Sequence, residues 1–130
     1  MRGKLSDEHK LWCGMDFTDA KVNEALHQMH PLKALGPDGL PALFYQKYWH
    51  IVGVEVHKLV LNILNSNGQP HSINNTFVVL IPKGKNLYSP KDYRPISLCN
   101  FVMKIVTKVI ANRLKQTLPD VVNMEQSAFV

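Results

Sequence analysis

Apolar residues recur at helical spacing in three stretches of this 130-residue chain. Val22, Ala25, Leu26 and Met29 repeat at i, i+3, i+4 and i+7 behind Thr18, a favoured N-cap type, with Asp19 in the first turn. That pattern predicts a short amphipathic helix over residues 19–29. Pro31 and the cluster Gly36-Pro37-Asp38-Gly39 should end it, because proline donates no amide hydrogen and glycine accepts backbone angles that other residues resist. Pro41 suits the first turn of a second helix, where its missing N–H would go unpaired anyway, and this helix carries Leu43, Phe44, Tyr48 and Trp49. Their near-contiguous helical placement favours packing against neighbouring helices over stacking on bases. A break is expected at Gly53. Beyond it Val56, Leu59, Val60, Ile63 and Leu64 form a wide apolar stripe, which Asn65-Ser66-Asn67-Gly68 stops.

The period then changes. Thr76-Phe77-Val78-Val79-Leu80-Ile81 is rich in β-branched and aromatic residues and predicts a buried strand. A polar connection over residues 84–92 leads to a second extended run at residues 94–98, where Pro95 holds Arg94 extended and, lacking an N–H, belongs at a sheet edge. The simplest arrangement is an antiparallel hairpin, which should lean on the helices because two strands alone are marginal in water. Asn100 is expected to cap a last helix reaching about residue 118, where Pro119 ends it. Val102, Ile105, Val106, Val109 and Ile110 share one face of that helix, and Lys104, Lys108, Asn112 and Lys115 another. Residues 1–16 are aperiodic and are expected to be loosely ordered. The fold class is therefore α+β, mostly helical with one small antiparallel hairpin.

Composition narrows the picture. With 45% hydrophobic and 19% charged residues, the chain can bury one core and matches the size of one domain. Cys13 and Cys99 lack the close spacing of zinc ligands or redox pairs, so free thiols in a reducing compartment are expected. The start of the chain has no apolar stretch of signal-peptide length. The longest apolar run, residues 77–82, is far too short for a bilayer, so a soluble, intracellular protein without a membrane partner is expected. His27 and His30 stand at i, i+3 with no third ligand of matched spacing, and no metal site is expected.

Charge is unevenly spread. Residues 83–119 hold eight basic side chains (Lys83, Lys85, Lys91, Arg94, Lys104, Lys108, Arg113 and Lys115) against Asp92 alone, a local +7 in a chain whose total is +5. Such an excess draws polyanions, with RNA or DNA the obvious class, although a solvated basic face without a partner has the same composition.

Several motifs carry more specific information. Lys33-Ala34-Leu35-Gly36-Pro37-Asp38-Gly39 and Ala42-Leu43-Phe44-Tyr45-Gln46-Lys47-Tyr48-Trp49 are followed by Leu80-Ile81-Pro82-Lys83 and Asp92-Tyr93-Arg94-Pro95-Ile96-Ser97-Leu98-Cys99-Asn100. Ile110-Ala111-Asn112-Arg113-Leu114 and Gln126-Ser127-Ala128-Phe129-Val130 come last. In this order the chain resembles the opening blocks of reverse transcriptases from non-LTR retrotransposons, LINE elements and particularly those of plants, over residues 17–130. The resemblance implies a partial reverse transcriptase domain: the N-terminal extension and fingers of a right-hand polymerase fold, ending before the palm's catalytic motifs. The aspartates that hold two metal ions for nucleotidyl transfer belong to later blocks of that family, and Asp38, Asp92 and Asp120 match neither of them. Mg2+ is thus expected only in an intact polymerase, with no cofactor in this chain and no catalytic residue assigned.

The same resemblance assigns candidate sites. Lys83 closes the first strand and Arg94 opens the second, and in the family the matching lysine and arginine contact the triphosphate of the incoming deoxynucleotide. A planar guanidinium fork and a compact ammonium suit that task. The plainer alternative pairs Arg94 with Asp92 or a carbonyl and leaves Lys83 solvated. Gly36, Asp38 and Gly39, with Lys33, match a loop that touches the template strand through backbone amides, and a tight turn between helices would use the same residue types. Lys104, Lys108 and Lys115 could follow a nucleic-acid backbone or face solvent. The partners implied are an RNA template or RNA/DNA hybrid, a deoxynucleotide, and the remaining palm and thumb. Two other functions fit the composition: a stand-alone basic nucleic-acid-binding module, and a helical interaction fragment without a polymerase role.

Overall fold

The computed structural model describes residues 4–122, and the last motif quoted above, at residues 126–130, lies outside them. Six helices and one two-stranded antiparallel ribbon follow in the order α1 (Asp7–Gly14), α2 (Asp19–His27), α3 (Ala42–Lys47), α4 (Trp49–Asn65), β1 (Thr76–Pro82), β2 (Tyr93–Cys99), α5 (Phe101–Lys115) and α6 (Leu118–Val121). Among the described residues no helix is long and apolar enough to cross a membrane.

The core lies where α2, α3, α4 and α5 converge. Val22, Ala25, Leu26 and Met29 meet Ala42 and Tyr45 from α3, Val56 and Val60 from α4, and Phe101, Val102, Ile105, Val106 and Val109 from α5. The Tyr45 and Phe101 rings stack with centroids 4.5 Å apart. Burial of Tyr45, and secondarily the charge of Asp38, pushes its phenol above the ordinary value. Gln46 fastens α3 to the end of α2, its amide donating to the carbonyls of Leu26 (3.0 Å) and Met29 (2.9 Å). Asn23 joins α2 to α4 by accepting from the indole N–H of Trp49 (2.9 Å), with His57 Nε2 at 3.0 Å.

Several expectations are corrected. Residues 1–16 were expected to be loose, yet Asp7–Gly14 is a helix, capped by Ser6 through its hydroxyl and the His9 amide. Its support comes from distant residues. The Arg113 guanidinium donates to the carbonyls of Cys13, Met15 and Asp16 and lies 3.4 Å from the Phe17 ring centroid, while Asp120 Oδ2 accepts from the Ser6 amide and sits 2.6 Å from His9 Nδ1. Burial lowers the Arg113 guanidinium below its ordinary value.

The break expected at Gly53 falls instead at Tyr48, and α4 runs through Gly53 without interruption. Gly53 is buried under Trp49: a Cβ there would stand 3.1 Å from ring atoms of that indole. Thr18 and Asn100 occupy N-cap positions, but neither side chain caps its helix. Ile110 and Leu59, placed on apolar stripes, are partly exposed, and α5 stops at Lys115, with Pro119 inside α6 rather than ending α5.

The ribbon departs most from expectation. It pairs Thr76 with Cys99 through Pro82 with Tyr93, but β1 is exposed along all of its length except Thr76. Phe77, Val78 and Leu80 are each more than half exposed, so the strand predicted as buried projects from the helices instead of lying on them.

Candidate functional site

Register decides what the ribbon presents. Residues directly opposite one another share a face, and faces alternate along each strand. Phe77 opposite Leu98, Val79 opposite Ile96 and Ile81 opposite Arg94 define one face; Val78 opposite Ser97, Leu80 opposite Pro95 and Pro82 opposite Tyr93 define the other. One step beyond the ladder the Lys83 amide donates to the Asp92 carbonyl at 2.9 Å, which continues the same register. Lys83 and Arg94 are therefore diagonal neighbours on one face of the ribbon tip, a relation that places such positions about 7–8 Å apart.

Asp92 is the acid nearest in sequence to both cations, and its carboxylate is committed elsewhere. Its Oδ2 accepts from the amides of Tyr88 (2.9 Å) and Ser89 (2.8 Å), closing the loop over a short 3-10 turn at Pro90–Asp92. Arg94 is exposed and its guanidinium makes no hydrogen bond or ion pair among the described residues, so the plainer pairing with Asp92 does not form. Lys83 donates its ammonium to the Lys91 carbonyl at 2.7 Å, a solvent-exposed contact on a flexible stem. With Lys85 and Lys91 in the same connection, the tip gathers four cations around one carboxylate.

The loop at residues 36–39 is a tight turn closed by the Gly39 amide on the Gly36 carbonyl (3.0 Å), with Gly39 at φ +66°, a conformation glycine takes at little cost. Gly36 is buried against the junction of β2 and α5: a Cβ there would stand 2.3 Å from the Cys99 carbonyl oxygen. The Asp38 amide donates to Asn100 Oδ1 (3.0 Å), and Asp38 Oδ1 accepts from the Leu40 amide (3.3 Å). The amides of Asp38 and Gly39 are already donated within the fold, and Gly36 is covered, so what these residues visibly do is seat the loop on the root of the ribbon.

The remaining candidates separate. Lys33 stands exposed after α2, and Lys104 donates to the Ala34 carbonyl at 2.5 Å, bracing that segment against α5. Lys33, Lys104 and Lys108 line one open cleft of about 440 Å3, and Lys108 and Lys115 a neighbouring cleft of about 490 Å3. These lysines belong to a surface distinct from the ribbon tip.

Acidic groups do not assemble. Asp38 is used in the turn, Asp92 in the ribbon connection and Asp120 on Ser6 and His9. Among the described residues no three His, Cys, Asp or Glu side chains cluster as a metal site would require. The described residues therefore do not fit a magnesium pair.

Sequence reasoning missed Arg113 and Asn100 as organising residues. Asn100 also donates to the Ile73 carbonyl (3.3 Å), so one side chain ties the turn at residues 36–39 and the segment before β1 to the start of α5. Between α1, α2 and α5, Trp12, Lys21, Glu24, Asn112 and Arg113 line a cavity of about 20 Å3. The indole N–H of Trp12 and the amide nitrogen of Asn112 are buried without a partner among the described residues.

No family model matches the chain. Two curated proteins are similar to it. One is the Transposon TX1 uncharacterized 149 kDa protein of Xenopus laevis, 34% identical over 126 residues, which covers 97% of this chain and 10% of the relative. The other is the Retrovirus-related Pol polyprotein from type-1 retrotransposable element R2 of Nasonia vitripennis, 26% identical over 132 residues, 100% of this chain and 12% of that protein. The chain spans about a tenth of the length of the curated relatives it matches. Both are products of transposable elements, which supports a retrotransposon origin for this chain.

Proposed function

We propose that the chain is a fingers segment of a reverse-transcriptase-type polymerase from a LINE-like retrotransposon, and that its ribbon tip grips the triphosphate of an incoming deoxynucleotide through Lys83 and Arg94. The observation that carries this reading is the diagonal placement of those two cations on one face of a projecting ribbon, with Asp92 withdrawn onto the Tyr88 and Ser89 amides. An unpaired guanidinium can meet two phosphate oxygens at once, and the ammonium can leave a solvent-exposed carbonyl for a stronger charged acceptor. Ile81 and Ile96 continue the same face toward the root and offer an apolar surface beside the cations. Similarity to a Pol polyprotein over the full chain supports the assignment. On this reading the chain contributes binding, and the metal-holding carboxylates reside in other parts of the polymerase.

Calorimetric titration of the chain with a magnesium deoxynucleoside triphosphate tests the reading. Saturable binding should occur in the wild type and should weaken at least about a hundredfold in K83A/R94A, the loss expected when two charge-assisted contacts of about 1.5–3 kcal/mol each are removed. Equal binding by both proteins would overturn it. Templated primer extension by the chain alone would overturn its assignment to a purely binding role.

The exposed ribbon also favours a second reading, a helical interaction fragment, since Phe77 on one face and Val78 and Leu80 on the other leave apolar side chains uncovered on both sides of a strand pair with two open edges. Its mark would be stable dimerisation without nucleic acid.

A further inference from the structure

The cavity between α1, α2 and α5 takes no part in the ribbon-tip reading, and its wall is built from three separate stretches of chain. Val109, Asn112, Arg113 and Gln116 recur at i, i+3, i+4 and i+7, the spacing of one helical face, and meet Trp12 of α1 and the Lys21 and Glu24 pair of α2. The free space is about 20 Å3. About 10–15 Å3 of such space holds one water molecule, so the cavity admits a single guest of that size and excludes a phosphate group.

Its polar wall is unbalanced. The indole N–H of Trp12 and the amide nitrogen of Asn112 are buried without a partner among the described residues, and both are donors. A buried donor left unpaired loses its hydration with nothing in return, so such groups in folded proteins are met by a protein acceptor or a bound one. The charges lean the same way. Lys21 is matched at 2.9 Å by Glu24, the one acid in the wall among the described residues, whose other oxygen accepts from Gln28 at 3.3 Å. Arg113 has no such match. Its guanidinium donates to the neutral carbonyls of Cys13, Met15 and Asp16 and makes no ion pair among the described residues. The Asp16 carboxylate acts on it only from beyond ion-pair distance. The Lys21 ammonium and the Arg113 guanidinium each lie 5.9 Å from a Trp12 ring centroid, so both cations border the indole.

We infer that this cavity binds one small halide, chloride, accepted from the Trp12 indole N–H and the Asn112 amide and balanced by the charge of Arg113, and that the ion joins α1 to α2 and α5. A water molecule would satisfy the two donors, but its own hydrogens would then need acceptors and the excess positive charge would remain. A halide only accepts, and it supplies the missing negative charge.

Nuclear magnetic resonance of the isotope-labelled full chain tests the inference, with sodium gluconate exchanged for sodium chloride at constant ionic strength, since gluconate is too large to enter. Chloride should move the Trp12 indole N–H resonance downfield in a saturable way. The other indole of the chain, that of Trp49, already donates to Asn23 at 2.9 Å and should stay in place. Binding to the folded state should also raise the melting temperature, by about 5 °C at an excess of about tenfold over the dissociation constant. Asn112→Asp places a fixed carboxylate in the cavity and should make both readouts independent of chloride. A Trp12 resonance indifferent to the anion, equal movement of both indoles, a long-lived water at the Trp12 N–H that persists in saturating chloride, or a chloride response retained in the aspartate variant would each overturn the inference.

Discussion

Replacing Gly36 by alanine should unseat the turn from the ribbon root. The new methyl group would stand 2.3 Å from the Cys99 oxygen, 2.4 Å from its carbonyl carbon and 2.5 Å from the Asn100 nitrogen, where ordinary contact begins near 3.4 Å. All three obstacles are backbone, so no side chain can swing aside, and either the turn or the junction of β2 and α5 must move by about an ångström. Forced overpacking of this kind costs about 1–3 kcal/mol. Movement of the turn also strains the bond from the Asp38 amide to Asn100, worth about 0.5–1.5 kcal/mol. The combined loss of about 1.5–4.5 kcal/mol corresponds to a fall in melting temperature of roughly 6–18 °C for a domain of this size. Thermal unfolding followed by far-ultraviolet circular dichroism measures it, with Gly84→Ala as the matched control because nothing lies within 4 Å of a Cβ at that position. If the Gly36 and Gly84 variants melt together, the close packing of the turn on the ribbon root is refuted.

Arg113→Ala should release α1, because one guanidinium serves the carbonyls of Cys13, Met15 and Asp16 and covers Phe17. Hydrogen exchange should show α1 amides losing protection first, and Arg113→Lys should restore only part of it, since an ammonium lacks the planar fork; unchanged protection in the alanine variant would contradict this. Acid should loosen the same segment. The hydrogen bond from His9, then that from the Ser6 amide, holds the Asp120 carboxyl below its ordinary value of 3.8. A depressed carboxyl contributes stability that is fully present above that ordinary value and disappears as pH falls through the lower folded one. Acid titration of Trp12 fluorescence in a Trp49→Phe background should show a step in that window, and Asp120→Asn should abolish it.

The parts of the fold legible in the sequence are those whose signals are local. The apolar spacing of Val22, Ala25, Leu26 and Met29 is a local period, and all four are buried. The β-branched run beginning at Thr76 and the extended preference imposed by Pro95 are local too, and both strands form. What stayed hidden depends on partners distant in sequence. Asp7–Gly14 has no apolar period, and its anchors, Arg113 and Asp120, are about a hundred residues away. A local sign did exist, since Ser6 followed by Asp7 and Glu8 is an N-cap with acids in the first turn. Gly53 looked like a punctuation mark, but its small size serves the Trp49 ring lying over it. The apolar strand content implied burial, yet composition cannot distinguish a strand covered by its own chain from one left uncovered. At the candidate site, Lys83 and Arg94 could be paired from the expected hairpin alone. The commitment of Asp92 to two loop amides, and of the Asp38 and Gly39 amides to the turn, depends on hydrogen bonding that residue types do not specify.

Amide chemical-shift mapping tests the proposed triphosphate site at the ribbon tip at single-residue level. Titration of a magnesium deoxynucleoside triphosphate into the isotope-labelled chain should move the amides of residues 83–94 and leave those of α5 in place. Shifts confined to α5, or a ribbon tip that does not respond at saturating nucleotide, would contradict the account.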